Sequence, residues 1–134
     1  MIEVDSPAVA VQALMAPALV LMGMSHIVQP GMWRDFFVHL HGLGTTGVVY
    51  RTVALELWPA LLIVVFHQVW SGPGIVLTIY GWLLMTKVTL SLLYPKLGLR
   101  SLGMAEGTSD AKWALAGVVL IALGLSCVWA LIDA

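Results

Sequence analysis

"RTVALELWPALLIVVFHQVW" (Arg51–Trp70) is an apolar run with a carboxylate, Glu56, near its start and a histidine, His67, near its end. About 20 such residues cross a bilayer core. An acid at the centre of such a helix costs roughly 2.5–3.5 kcal/mol even on the mildest scale. Glu56 therefore needs a partner, and the partner fixes how neighbouring helices are arranged. Pro59 adds a second constraint, because it leaves the carbonyl of Leu55 without its helical donor. Thr52, Glu56, Ala60, Ile63 and His67 fall on one helical stripe.

Working outward, "SGPG" (71–74) is a turn signal that makes the next run, "IVLTIYGWLLMTKVTLSLLY" (75–94), an antiparallel partner. Glu56 lies 14 residues before Trp70, and Lys87 lies 12 residues after Ile75. At 1.5 Å per residue both stand roughly 18–21 Å from the turn. The spacing predicts an intramembrane ion pair between Glu56 and Lys87, on a stripe that includes Tyr80, Ser91 and Tyr94. Its first reading is a neutralised pair holding two helices in register. The second is part of a polar path through His67, Tyr80 and Thr78, although proton relays need a chain of such groups.

The whole chain agrees with a membrane setting. Of its 134 residues, 60% are apolar and 10% charged, and the mean hydropathy is +0.99. Soluble domains carry about a quarter charged residues. The expected fold is all-α: one integral membrane domain over 1–134, with four transmembrane helices near 8–29, 46–70, 75–94 and 111–132 in an up-down bundle. A short interfacial helix is expected at 31–43, between the first two, with Trp33, Phe36, Phe37 and Leu40 toward lipid. Residues 96–110 read as a polar, glycine-bearing loop.

Charge sets the expected orientation. Arg34, Arg51, Lys96, Arg100 and Lys112 fall on the two longer connections or their flanks, while the N-terminal tail, the SGPG turn and the C-terminus carry no Lys or Arg. The positive-inside rule then puts both termini outside a bacterial inner membrane. A net charge of -1 leaves no basic footprint for nucleic acid. The single cysteine, Cys127, excludes an intrachain disulfide framework and reads as a small buried hydrophobe.

Other motifs have plain structural readings. "GLGTTG" (42–47) spells a dinucleotide fingerprint, but no strand precedes it and no ribose-binding acid follows at the right distance. Thr45 or Thr46 is the expected helix cap there. His26 and His67 lie toward opposite ends of their helices and cannot share a haem. His26, Asp35 and His39 make a weak metal candidate beside the alternative of an Asp35–His39 pair on a wet face. No cofactor is expected. Gly117 and Gly124 lie seven apart on the last helix, a small-residue face for packing on the first helix or on another protein.

The segment 66–95 carries His67, Val69, Trp70, Thr78, Gly81, Trp82, Lys87 and Pro95. In this pattern it resembles an uncharacterised family of small bacterial four-helix integral membrane proteins, in which asparagine is common where Gln68 stands. The resemblance covers about a quarter of the chain closely and implies an inner-membrane protein without implying an activity. The functional expectation is a non-enzymatic scaffold or accessory subunit, with the lipid bilayer and a larger complex or a homo-oligomer as partners. A small proton-linked carrier or channel using Glu56, Lys87 and His67 is the first alternative. A haem- or metal-binding protein is the second.

Overall fold

The computed structural model describes residues 5–133. They form six helices and, among the described residues, no strand. These are α1 (Pro7–Val28), α2 (Pro30–Gly42), α3 (Thr45–Phe66), α4 (Ile75–Leu93), α5 (Pro95–Gly103) and α6 (Asp110–Asp133). Four of them, α1, α3, α4 and α6, are long and apolar enough to cross a membrane. Ser6 starts α1 by accepting the amide hydrogen of Val9 on its hydroxyl, with Pro7 in the first turn.

The long helices pack as two antiparallel pairs. In the first, Gly23 and Ala16 of α1 meet Gly117 and Gly124 of α6. A Cβ on Gly124 would stand 2.6 Å from Val20 Cγ2 and 3.0 Å from the carbonyl oxygen of Ala16, so only glycine allows this approach. The face containing Gly117 and Gly124 is thus covered by α1. In the second pair, Ile63 of α3 fills the space above Gly81 of α4. Between the pairs lies a core of Val11, Met15, Ala16, Leu19, Ile63, Leu77 and Cys127.

Helix α3 is not uniformly α-helical. Residues Tyr50–Leu57 are π-wound, and the α-helical remainder begins at Trp58, which puts Pro59 in a first turn where its missing donor is tolerated. The helix also ends at Phe66 rather than Trp70. His67 leaves the helix at φ -124°, ψ 79°, and the next three residues are non-helical.

Two other expectations need correction. Residues 95–103 are a helix, not a loop: Pro95 opens it, and its Leu102 joins Leu40 and Val48 in a second small core. The apolar face of α2 does not point to lipid. Leu40 is 3% exposed, Phe37 packs against the same core, and Trp33 stacks on His26 at 4.3 Å between ring centres. Of the four, only Phe36 is exposed. The face was free to turn inward because α5 and the start of α6 supply apolar and aromatic surface to receive it.

The α2–α3 corner explains the glycines of "GLGTTG". Gly44 caps α3 at φ +64°, a conformation that favours glycine, so neither Thr45 nor Thr46 is the cap. Gly47 lies against the backbone carbonyl of Leu40, where no side chain fits.

Candidate functional site

The structure brings Glu56 and Lys87 together: Lys87 Nζ is 2.6 Å from Glu56 Oε2. It also adds a residue that sequence reasoning used only as an orientation marker. Arg51 is 2% exposed, and its Nε lies 3.1 Å from Glu56 Oε1. That contact is ionic rather than a hydrogen bond, for neither atom has a hydrogen-bond partner. Arg51 and Glu56 are five residues apart, a spacing that an α-helix splays. The π-wound segment, with its i→i+5 hydrogen bonds, brings them to one face.

The rest of the Arg51 guanidinium is spent on neighbouring helices. Nη2 donates to Ser91 Oγ on α4 at 3.2 Å, and Nη1 donates to the Gly98 carbonyl and Ser101 Oγ on α5 at 3.4 and 3.3 Å. One side chain therefore ties α3, α4 and α5. The cluster is asymmetric in exposure. The side chains of Arg51 and Glu56 are 2% and 11% exposed, while that of Lys87 is 45% exposed and reaches outward on its alkyl stem. Thr52, fully buried beside them, has no hydrogen-bond partner for its hydroxyl.

His67 and Thr78 belong to a second, separate network at the other end of the hairpin. The Gln12 amide nitrogen donates to His67 Nε2 at 2.8 Å, an arrangement that puts the proton of the neutral ring on Nδ1. Nδ1 then donates to Thr78 Oγ1 at 3.0 Å, and Thr78 donates to the Val69 carbonyl at 2.7 Å. This network fastens α1 to the chain reversal between α3 and α4, and explains why α3 stops at Phe66. By helical rise Glu56 and His67 are separated by roughly 16 Å. Ala60 and Ile63, both 0% exposed, stand between them, and Ile63 belongs to the apolar core. Among the described residues no side-chain hydrogen bond links the two networks.

Tyr80 lines a cavity of about 250 Å³ between the two helix pairs, together with Arg51, Glu56, His26 and apolar side chains of α1. His26 itself donates from Nδ1 to the Met22 carbonyl at 2.7 Å and lies between Trp33 and Trp113. Asp35 sits beside Arg34, and His39 is exposed. Among the described residues no three His, Cys, Asp or Glu side chains converge, so His26, Asp35 and His39 are not brought together. Cys127 is buried at 1% exposure in the core.

Compared with protein families, curated proteins and solved structures, the chain matches no family model, no curated protein and no solved structure. The likeness seen in residues 66–95 thus has no family match behind it, and the site must be read from its own chemistry.

Proposed function

We propose that this chain is a multi-pass protein of the bacterial inner membrane that serves as a non-enzymatic scaffold or accessory subunit. Its four long helices form an up-down bundle with both termini outside, and α2 and α5 lie at the cytoplasmic end. Surface composition supports the membrane setting: Leu21, Leu83, Leu115 and Ile132 are 68%, 67%, 64% and 78% exposed, which needs lipid or a partner around it.

The observation that carries the scaffold reading is how Arg51 is used. Its side chain joins Glu56, Ser91, Gly98 and Ser101, so the buried charge holds the protein's own helices in place. The apolar side chains of Ala60 and Ile63 between Glu56 and His67 offer no relay group, and a proton carrier needs a continuous chain of them. The test is gentle solubilisation followed by size analysis and identification of co-purifying chains. Stable stoichiometric association with a larger membrane complex, or with copies of itself, is expected; a lone monomer would count against the reading. Proton flux in proteoliposomes containing the purified chain alone would favour the carrier instead.

A further inference from the structure

The charge cluster does not balance. Arg51 and Lys87 bring two positive charges and Glu56 one negative, a surplus of one that falls on the half-exposed Lys87 once Arg51 is paired with Glu56. Arg34, on α2, is matched by Asp110. The half-exposed ammonium shares its counter-ion with Arg51, which leaves it able to take a second ligand of opposite sign.

Two cavities border this cluster. The one between the helix pairs, about 250 Å³, is walled mainly by apolar side chains such as Met15, Leu19, Leu84 and Leu120. The other, also about 250 Å³, lies under α5 and the start of α6 and contains Lys87 and Ser101. Arg51 and Phe37 line both. Arg51 is more than nine-tenths buried, with its Nε held 3.1 Å from Glu56 Oε1, so it lends the site its charge. The half-exposed ammonium of Lys87 and the hydroxyl of Ser101, which accepts from Arg51, are both able to donate to an incoming anion.

We propose that the two cavities form one binding site for an acidic amphiphile. A carboxylate or phosphate head sits by Lys87, Arg51 and Ser101, and the alkyl chain passes Phe37 into the apolar cavity. The surplus charge selects the acidic head, and the walls of Met15, Leu19, Leu84 and Leu120 select the chain. The head can come from a free fatty acid or from an anionic phospholipid.

Trp33 lines the apolar cavity and Trp113 the charged one, so bromine on a bound chain should quench them. The remaining tryptophans are replaced by Trp58→Phe, Trp70→Phe, Trp82→Phe and Trp129→Phe in the full chain, purified in mild detergent. It is titrated with dibromostearate, its methyl ester, dibrominated phosphatidic acid and dibrominated phosphatidylcholine. Saturable quenching by either acidic probe, but not by the ester or phosphatidylcholine, is expected, and the tighter acid identifies the source of the head. Lys87→Gln removes the surplus charge, and Ala18→Phe adds bulk to the wall of the apolar cavity at a residue outside the charge cluster. Each should weaken binding about tenfold or more. Equal quenching by the neutral probes, quenching without saturation, or unchanged affinity in both variants would overturn the proposal.

Discussion

Arg51 and Glu56, five residues apart in sequence, meet at 3.1 Å because the helix between them is π-wound. The winding sits directly before Pro59, whose ring and missing donor disturb the regular ladder of an α-helix. Local backbone irregularity and buried charge thus share one cause, and the hairpin of α3 and α4 is built around them.

The exposure difference between the two cations makes a first prediction. Lys87→Met leaves a balanced Arg51–Glu56 pair and removes a half-exposed ammonium. It should cost no more than about 1 kcal/mol. Glu56→Gln leaves Arg51 buried without a counter-ion and should cost about 3–5 kcal/mol. Apparent thermal midpoints in detergent rank the two, and a larger loss for Lys87→Met would reverse the assignment of the buried partner.

Helix pairing gives a second. Gly124→Val places atoms where Val20 and the Ala16 carbonyl already lie and should destabilise the α1–α6 pair by about 1–3 kcal/mol. Gly42→Ala, with nothing near its added Cβ, should be neutral or stabilise by up to about 1 kcal/mol. Helical circular dichroism on heating separates them. Equal behaviour would mean that the small-residue face is not tightly packed.

The network at the opposite end gives a third. Thr78→Val keeps the shape but leaves His67 Nδ1–H and the Val69 backbone without a partner, at a cost of about 1–3 kcal/mol. Amide exchange in residues 67–74 should quicken while exchange near Glu56 stays unchanged, because the apolar side chains of Ala60 and Ile63 separate the two networks. Acceleration at both ends would show that they are coupled after all.

Much of this was legible in the sequence, and the failures have physical causes. Run length and turn residues located the four long helices to within one residue at most ends, and matched depth pointed to Glu56 and Lys87. Arg51 was passed over because α-helical periodicity separates positions five apart. The i, i+5 spacing of opposite charges just before Pro59 is the signal that could have revealed both the π winding and the partner. Helix α5 is hidden in the sequence because residues 96–110 read as a polar, glycine-bearing loop, whereas Pro95 opens a helix there. The α2 face was assigned to lipid from amphipathicity alone, which cannot tell a bilayer from a neighbouring helix. His67 was placed inside a helix because no local rule shows that Thr78, eleven residues on, will hold it out of one.

Orientation yields a fourth prediction. In a Cys127→Ala background, single cysteines at Ser71 and Asp133 should react from the outer side of sealed vesicles, and one at Ser101 from the inner side. A different grouping would overturn the proposed topology.

The central claim is that Arg51 and Glu56 form the buried heart of the structure. A double-mutant cycle on thermal stability, with Arg51→Met, Glu56→Gln and the two combined, tests it most directly. If the pair is the organising contact, the double variant should be less damaged than the two single losses added together, by about 0.5–3 kcal/mol. Additive losses would contradict the account, because they would mean that the two side chains stabilise the protein independently.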